Sequence, residues 1–586
     1  MEQIQADVVI VGAGGGGLRA SIAIAESNPN LKVALISKVY PMRSHTCAAE
    51  GGAAGVKTAD DSFEMHFNDT VGGGDWLCDQ DVVEHFVEQA PRELMQLEHW
   101  GCPWSREDDG SVAVRPFGGM KKKRTWYAAD KSGFHILHTL FQTSLQFPSI
   151  KRYDEYFALD LLHEDGKCRG VVAMEMRSGL FFQFNASAVI FATGGGGQVF
   201  PFTTNGAVKT GDGMAMAYRA GVPLKDMEFV QYHPTGLPGT GILLTEGCRG
   251  EGGILVNKDG YRYLQDYGMG PETPIGEPVL KTMELGPRDR LSQAFWHEQK
   301  KGNTVETPWG DCVLLDMRHL GAKRILERLP LVHELALAYV GVDMTKDPVP
   351  IRPVIHFMMG GIDSNGKGES PMAGLFAVGE TACTGLHGAN RLGSNSLTDL
   401  LVSGKRSAQA AVEYAQHAGA GTASPVVNAQ AVSIVAGVRA LLQQSGGDET
   451  ISGIRREMRT ALEDGAGIYR DEEGAATACE KVAELRERYK SIEVNDKSNV
   501  FNTDLQSALE LRNLLAVAET ITAASLERRE SRGAHQRLDF TERDDENFLK
   551  HSLCYQQPDS RPRVEWSDVI ITRSQPGTRD YSGGKE

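Results

Sequence analysis

The sequence contains 586 residues, with 61 Lys and Arg against 77 Asp and Glu, and its formal net charge is −16. Hydrophobic residues make up 41% and charged residues 24%, which is typical of a globular protein and excludes wholesale disorder. At roughly 150 residues per domain, this length predicts about three or four domains. The acidic net charge argues against nucleic acid as a partner, so an anionic ligand would need a local cluster of cationic side chains.

The sequence pattern does not predict a membrane span, a secretory signal or a metal site. We find no run of about 20 mainly apolar residues, which argues against a segment that crosses a bilayer. The first twelve residues lead directly into a strand without a basic segment, so no secretory signal is predicted. The nine cysteines are scattered, and no two have the C-x-x-C spacing of iron–sulfur or zinc sites. We therefore expect no metal site and a reducing compartment.

The first elements have the pattern of a dinucleotide-binding βαβ unit. An apolar strand is predicted at Asp7–Val11, a helix at Leu18–Glu26 and a second strand at Lys32–Ile36. The glycines of Gly12–Gly17 match G-x-G-x-x-G, which permits a tight turn and a close approach of the backbone to a pyrophosphate. The N-terminus of the helix then offers free N–H groups to the phosphates.

Later segments indicate which dinucleotide this unit would hold. The second strand is followed by Ser37 and Lys38, where NAD enzymes carry an acidic residue that binds ribose, so NAD is disfavoured. Two more strands, Ala188–Thr193 and Gly374–Gly379, also end in glycine, and Glu380 follows the second. Three such ends at one sheet edge suit a long dinucleotide whose two halves contact separate loops, although each alone could be an ordinary turn.

The rest of the chain divides by pattern. Residues 234–350 have their own hydrophobic segments and interrupt the predicted sheet, which indicates an inserted domain. Apolar residues at helical spacing predict a helical domain; its segments are Ala429–Leu442, Ile454–Leu462, Val482–Tyr489 and Leu505–Leu526. We therefore predict a dinucleotide-binding domain in two parts, an inserted domain, a helical domain and a polar surface tail; their ranges are 1–233 and 351–420, 234–350, 421–550 and 551–586.

Several Arg and His residues lie in glycine-rich segments where other surfaces can approach closely. Glu246 and Arg249 are three residues apart, and they could form either a structural charge pair or part of a site. A lone histidine in a loop or strand is usually structural. Together, however, a set of arginines and histidines could surround a small dianion, because the arginine fork binds a carboxylate at two points; this set is Arg249, Arg288, Arg391, His233 and His356.

The sequence resembles the flavoprotein subunits of bacterial membrane-bound quinol:fumarate reductases, which are sisters of the succinate dehydrogenase flavoproteins. The matching segments extend across the chain; they are VYPMRSHT (39–46), GGDWLCDQDVV (73–83), HPTGLPGTGIL (233–243), TEGCRGEGG (245–253), HGANRLGSNSL (387–397) and SRGAHQR (531–537). The resemblance implies an α/β fold, with a Rossmann-like FAD-binding domain, an inserted α+β capping domain and a C-terminal helical domain.

The resemblance also implies FAD that is bound covalently through its 8α-methyl group to His45. Replacing a methyl hydrogen with an imidazole withdraws electrons from the flavin and raises its potential. The residues that the family pattern assigns to FAD binding are Gly12, Ala13, Gly14, Gly15, Gly16, Gly17, Ser37, Lys38, Ser44, His45, Thr46, Ala49, Glu50, Gly51, Gly52, Tyr156, Phe157, Ala158, Asp212, Glu380, Arg391, Ser396 and Leu397.

The family pattern further implies how fumarate is reduced to succinate. A hydride passes from the flavin to one olefinic carbon, and Arg288 gives a proton to the other, with Glu246 and Arg249 as the relay that reprotonates it. His233 completes the catalytic set. Thr245, His356 and Arg391 are implied to bind the substrate carboxylates.

The same resemblance implies partners: an iron–sulfur subunit and membrane-anchor subunits, which would hold this chain at the cytoplasmic face of the bacterial inner membrane. Three alternatives remain open at this stage. Succinate dehydrogenase runs the same chemistry in reverse. Soluble L-aspartate oxidase shares the fold but generally lacks the flavin-linking histidine. A non-catalytic flavin-binding or assembly module would not need the Glu246–Arg249 relay.

Overall fold

The computed structural model describes residues 1–419, 421, 423–558 and 561–579. Twenty-two strands lie in these residues; in chain order they are β1 (Glu2–Gln5), β2 (Val8–Val11), β3 (Val33–Ser37), β4 (Ala53–Ala54), β5 (Val114–Arg115), β6 (Thr125–Trp126), β7 (Ile150–Asp154), β8 (Tyr156–Glu164), β9 (Lys167–Glu175), β10 (Phe181–Asn185), β11 (Ala188–Phe191), β12 (Leu224–Lys225), β13 (Val230–Gly236), β14 (Ile254–Val256), β15 (Val305–Thr307), β16 (Gly310–Asp316), β17 (Val349–Met358), β18 (Gly361–Asp363), β19 (Leu375–Ala377), β20 (Ala382–Cys383), β21 (Lys550–Tyr555) and β22 (Arg563–Asp568).

Fifteen α-helices lie in the same described residues. They are α1 (Gly15–Ser27), α2 (Phe63–Gly73), α3 (Gln80–His99), α4 (Ser132–Ser144), α5 (Asp212–Arg219), α6 (Gly247–Gly250), α7 (Arg288–Lys300), α8 (Ala322–Arg328), α9 (Pro330–Val340), α10 (Asn395–Ala418), α11 (Pro425–Gln443), α12 (Ile451–Ala466), α13 (Glu472–Tyr489), α14 (Thr503–Glu527) and α15 (Asp545–Phe548).

The predicted dinucleotide-binding sheet is confirmed as five parallel strands in the order β19-β11-β2-β3-β7. The side chains of these strands point alternately into two hydrophobic cores, because successive side chains of a strand point to opposite faces of the sheet. Val9 and Val11 pack in one core with the sheet β1-β10-β9-β8, whereas Val8 and Ile10 pack in the other with α1 and α10. Cover on both faces explains why these strands are short, continuous apolar runs.

The inserted domain has its own hydrophobic core, built from β14, β16 and the helices α7–α9. It joins the rest of the molecule through β13 and β17, which pair antiparallel with His233 opposite Val354 and Gly236 opposite Arg352. The domain limits that the sequence predicts at 233 and 351 therefore fall inside two paired strands. Both connections to the inserted domain run side by side.

The helical domain is confirmed, because α11 to α14 contain the four segments predicted from apolar spacing. Among the described residues, α11 alone is long and apolar enough to cross a membrane by length and composition, which the sequence reading did not anticipate. One such helix is weak support for a membrane span. Val427, Ala431, Val435 and Val438 form a buried stripe on it, and Gln430 binds the main chain of His163 in β8.

The prediction of a surface tail from residue 551 is wrong for the residues that form strands. β21 pairs with β12 and β22, so this segment is part of a five-stranded sheet. The buried residues of β21 include His551 and Ser552, which bind the carboxylates of Asp226 and Glu228. Because buried side chains of β21 are polar, the segment shows no alternation of apolar and polar residues, and the sequence pattern does not predict a strand there. Residues 559–560 and 580–586 of the predicted tail lie outside the described residues.

Candidate active site

A cavity of about 1370 Å³, part of it open to solvent, lies where the strands of the parallel sheet end. Most of the residues predicted to bind the cofactor line it, although they come from seven separate stretches of the chain. These lining residues are Gly12, Ala13, Gly14, Gly15, Gly16, Ser37, Lys38, Ser44, His45, Thr46, Ala49, Tyr156, Ala158, Asp212, Glu380, Ser396 and Leu397. A convergence of this kind at the carboxyl edge of a parallel sheet is the expected place for a dinucleotide.

Two glycines of the first turn are required by close backbone contacts. Gly12 has φ +110°, and a Cβ there would lie 2.2 Å from the carbonyl oxygen of Ala192. A Cβ on Gly17 would lie 1.8 Å from the carbonyl oxygen of Gly12. Only glycine fits both positions, so α1 can start directly against the end of β2 with its free N–H groups at the cavity.

Six predicted cofactor residues do not line this cavity within the described part of the chain; they are Gly17, Glu50, Gly51, Gly52, Phe157 and Arg391. Gly17 allows α1 to pack closely against the backbone at Gly12, and Phe157 is buried in the hydrophobic core on one face of the sheet. The segment 50–52 approaches the inserted domain, because a Cβ on Gly51 would lie 4.0 Å from Thr245 Oγ1. Arg391 lines a second cavity.

One end of the cavity is held by a buried ion cluster around Lys38. Its ammonium group donates to Asp212 Oδ2 at 2.8 Å, to Thr210 Oγ1 at 2.8 Å and to Glu510 Oε1 at 2.9 Å. Asn513 donates to Asp212 Oδ1 at 2.8 Å. Because Glu510 and Asn513 belong to α14, the helical domain completes this end of the cofactor cavity.

His45 lies in the wall of the same cavity in a neutral form. Burial, followed by the charge of Lys209, lowers the pKa of His45 to about 3. The backbone N–H of Gly206 donates to His45 Nδ1 at 3.2 Å, so Nε2 is the other ring nitrogen open to a ligand. Lys209 pairs with Glu380 beside it. Lys209 was missed in the sequence, where an isolated lysine gives no signal.

Three predicted catalytic residues form one contiguous chain. Glu246 Oε2 accepts from Arg288 Nε and lies 2.8 Å from Arg288 Nη2, and it is 3.5 Å from Arg249 Nη2. Burial alone would raise the pKa of Glu246, but Arg288 and Arg249 hold it below its ordinary value. Glu246 is therefore a carboxylate that orients two arginines, and it also accepts from the N–H of Gly118.

Gln231 joins the second pair of arginines, and the sequence did not single it out. Its Oε1 accepts from Arg288 Nη1 at 3.2 Å and from Arg391 Nη2 at 3.0 Å. Its Nε2 donates to Asn390 Oδ1 at 2.8 Å and to the carbonyl of Arg391 at 2.7 Å. A single glutamine near a histidine motif carries no functional signal, so only the geometry reveals this bridge.

The two predicted histidines lie together, with ring centroids 5.1 Å apart. Burial is the main cause that lowers the pKa of each well below its usual value, and the charge of Arg288 is next. The N–H of Thr235 donates to His233 Nδ1 at 3.3 Å, which places the ring proton of the neutral form on Nε2. His356 Nδ1 lies 2.8 Å from Thr204 Oγ1.

The cluster is cationic and incompletely paired. Arg249, Arg288 and Arg391 face one carboxylate, Glu246, so the four buried side chains carry a net charge of +2. Among the described residues, several buried nitrogens have no hydrogen-bond partner: Arg249 Nε and Nη2, Arg391 Nε, and His233 Nε2. Buried donors without partners are costly unless a ligand satisfies them. Thr245 is also fully buried beside Glu246.

This arrangement fits a small dianion such as a dicarboxylate next to the cofactor cavity, which His356 also lines. Six of the seven predicted catalytic and substrate residues are buried in the described structure, and His356 is partly exposed. Within the described residues, no group of three or more His, Cys, Asp or Glu side chains could hold a metal ion.

Comparisons with known proteins identify the family. Residues 7–397 match the family described as FAD binding domain, and residues 455–581 match the family described as fumarate reductase flavoprotein C-term. The fumarate reductase flavoprotein subunit of Haemophilus influenzae is 61% identical over 100% of this chain and 98% of its own length. The chain belongs to the family of fumarate reductase flavoprotein subunits. It is therefore a flavoprotein oxidoreductase with an FAD-binding domain.

Relatives within and beside this family agree with that assignment. The flavoprotein in a structure of Escherichia coli quinol fumarate reductase has a TM-score of 0.98 and 60% identity over 100% of both chains. The succinate dehydrogenase flavoprotein subunit of Rickettsia bellii is 42% identical over 97% of this chain and 95% of its own length. The chain is thus more similar to fumarate reductase subunits than to this dehydrogenase, and the dehydrogenase alternative has less support.

Proposed function

We propose that this chain reduces fumarate to succinate as the catalytic flavoprotein subunit of a quinol:fumarate reductase. One observation carries the proposal. The buried cluster with a net charge of +2 has unpartnered donors and borders the cavity that fits FAD. A dicarboxylate dianion would neutralise the charge and satisfy the donors, whereas a neutral substrate would do neither.

When FAD is bound in its cavity, it would supply the hydride that reduces one olefinic carbon of fumarate. Arg288 gives a proton to the other olefinic carbon, so that hydride and proton together convert the double bond into succinate. Although arginine is a very weak acid, the carbanion-like centre left by hydride addition is more basic, and the Arg288 cation stabilises it as it forms. Glu246 and Arg249 return a proton to Arg288 along the contacts described above.

The remaining predicted residues bind and orient the two carboxylates. Arg391 offers an unpartnered Nε, and His233 offers an Nε2–H. Thr245 and His356 complete the set. Arg391, His233 and Thr245 are buried and His356 is partly buried, so these groups are positioned before the substrate arrives, which favours a single orientation beside the flavin. Closure of the inserted domain over them would exclude water.

We also propose that the FAD is linked through its 8α-methyl group to His45. The neutral imidazole and the engaged Nδ1 support a bond through Nε2. The link raises the flavin potential toward that of the fumarate/succinate couple.

The names of the solved relatives support a proposal about partner subunits. Solved relatives are named as quinol fumarate reductases, one of them with menaquinol molecules. We propose that this chain assembles with an iron–sulfur subunit and membrane-anchor subunits, as a peripheral subunit on the cytoplasmic face of the bacterial inner membrane. We also propose residues 1–233 and 351–420 as the FAD-binding domain, 234–350 as the capping domain and 421–550 as the helical domain.

The direction of the reaction can be measured on the isolated complex. We expect fumarate-dependent oxidation of a reduced low-potential dye and of menaquinol to be faster than succinate oxidation with ubiquinone. Faster succinate oxidation under both conditions would favour the succinate dehydrogenase alternative. Absence of both reactions, with FAD bound, would favour a non-catalytic module.

The covalent link has a separate test. We expect flavin fluorescence to migrate with the denatured chain on a gel and to be lost in His45→Ser. The matched control is His417→Ser, which changes an exposed histidine at the end of α10. Release of free FAD from the acid-precipitated wild-type protein would refute the link without affecting the assignment of the reaction.

A further inference from the structure

A second cavity reaches the arginine cluster from outside. It encloses about 780 Å³, part of it open to solvent, and it lies between α2, residues 118–121, residues 281–288 and residues 578–579. Arg288 and Arg391 are in its wall. Among the described residues, the lining of this cleft has no member in common with the lining of the FAD cavity.

The two cavities approach the same cluster and are separated by its side chains. The Arg391 guanidinium lies over the ring of Phe357, with Cζ 4.5 Å from the ring centroid. Phe357 lines the FAD cavity, whereas Arg391 lines the cleft. When FAD fills its cavity, a dicarboxylate cannot pass through that space. The cleft is then a path by which a small anion could reach Arg288 and Arg391.

The cleft is cationic in an otherwise acidic protein. Five cationic side chains and one carboxylate line it. When Glu246 and Asp289, which pair with Arg288 and Arg579, are included, the net charge is +2, whereas the whole chain carries −16. Lys121 is the exposed member of this set. A cleft lined by one sign of charge focuses the electric field and raises the association rate of an oppositely charged ligand.

Ion pairs between separate segments surround this cleft. Lys281 belongs to the segment that leads to α7. Its Nζ lies 3.0 Å from Oδ1 of Asp69 in α2. Arg579 donates to Asp289 Oδ2 at 2.6 Å, next to Arg288. The cleft therefore lies along the boundary between the inserted domain and the FAD-binding domain.

We propose that this cleft is the route by which the dicarboxylate dianion reaches the active site, and that Lys121 and Lys281 steer it inward. The inference rests on the proposed function, because it takes the substrate to be a dianion that binds at Arg288 and Arg391. It adds a positioning role, acting on the rate of association, for lysines that the family pattern does not assign.

The test compares two lysines that are two residues apart in the sequence, both in the flavin-loaded complex. Lys121→Glu reverses a charge in the cleft, and the matched control Lys123→Glu reverses an exposed charge outside its lining. The association rate constant of malonate would be measured by stopped-flow absorbance of the flavin at low and high ionic strength. We expect Lys121→Glu to lower it about fivefold at low ionic strength, with the difference shrinking at high ionic strength. Lys123→Glu should change it much less.

Equal association rates and equal salt dependence in the two variants would overturn the route. A lower rate that persists unchanged at high ionic strength would also overturn it, because a structural disturbance is not screened by salt. Failure of the proposed function would appear differently. The wild-type complex would then show no flavin perturbation by malonate and no fumarate reduction. Flavin content and the melting curve of each variant establish that it is folded.

Discussion

Two of the regions in which buried arginines pair with carboxylates differ in how completely the arginine donors are satisfied. In the C-terminal region, Arg528 donates to Glu228 at 2.5 Å, to Glu530 at 3.0 Å and to two backbone carbonyls. Arg532 donates to both oxygens of Glu530, to the carbonyl of Asp75 and to Asp545. All three nitrogens of each guanidinium group have partners.

The active-site region has the same residue types with a different outcome. Arg249 and Arg391 keep buried nitrogens that have no hydrogen-bond partner among the described residues. The difference teaches that burial and charge pairing alone do not mark a site. Arg528 and Arg532 hold the fold together, whereas Arg249 and Arg391 keep donors that a ligand could satisfy. Because Arg470 Nη2 and Arg19 Nη1 are also without hydrogen-bond partners in the described part of the chain, an unpartnered donor indicates a site only where excess cationic charge and a cavity accompany it.

The sharpest test of this contrast is Arg288→Lys. Lysine keeps the charge but loses the fork that contacts Glu246 and Gln231 together. We expect fumarate reduction to fall by about 10²- to 10⁴-fold, the range lost with a positioned general acid, while FAD remains bound. Turnover of reduced dye with fumarate and the flavin absorbance spectrum would be measured. Appreciable turnover by the variant would refute Arg288 as the proton donor.

The corresponding change in the C-terminal region, where every guanidinium nitrogen of Arg528 and Arg532 has a partner, should lower the stability of the fold and leave fumarate reduction intact. We expect Arg532→Met to lower the free energy of unfolding by about 3–5 kcal/mol, because it leaves buried acceptors without a partner. Fumarate reduction per bound flavin should change less than about twofold. Urea unfolding would be compared with Arg529→Met, which alters an exposed neighbour. A large loss of turnover per flavin in Arg532→Met would break the distinction between the two regions.

Gln231→Leu tests the neutral bridge between two active-site arginines. It removes the acceptor shared by Arg288 and Arg391, and hydrogen bonds to charged groups contribute about 1.5–3 kcal/mol. We expect kcat/KM for fumarate, measured per bound flavin, to fall by about tenfold to a hundredfold. The melting temperature should fall as well, because Asn390 and both arginines lose a buried partner. The control is Gln430→Leu, whose side chain binds the main chain of His163. Equal activity in both variants would exclude a positioning role.

Per pH unit, the smallest effect expected is a pH dependence of stability from the C-terminal region. Burial alone would lower the pKa of His551, but Asp226 and Asp79 raise it to about 9. Its stabilisation is full below the unfolded pKa of about 6.5 and is lost as pH rises through about 9. The loss is at most about 1.4 kcal/mol per pH unit. Melting temperatures between pH 6 and 9.5 should therefore fall less steeply in His551→Gln; parallel curves would contradict this.

Much of the fold could be predicted because its elements follow apolar periodicity. The parallel strands are continuous apolar runs, and α11 to α14 show helical spacing. β21 and β22 could not be predicted, because His551 and Ser552 bury polar side chains against carboxylates that are more than 300 residues away in sequence. Pairing over such distances is determined by the tertiary fold and leaves no local pattern.

The candidate site could be predicted only in part, because some of its residues are recognised by a local sequence pattern and others only by their contacts in the folded chain. Glycine-rich segments indicated where Arg249, Arg288 and Arg391 would meet a ligand. The segment SRGAHQR (531–537) looks equally distinctive, but its arginines are saturated and structural. Gln231 and Lys209 gave no signal, because their roles depend on neighbours that only the folded chain supplies.

The contact between Lys38 and Glu510 spans 472 residues. It means that the pocket for the nucleotide is unfinished while the protein is still being synthesised. A ribosome must translate past α14 before the lysine can be anchored, so capture of the prosthetic group belongs to the period after most of the polypeptide has been made. Fragments truncated before residue 503 should consequently retain little of it, even though the glycine turn is present from the start.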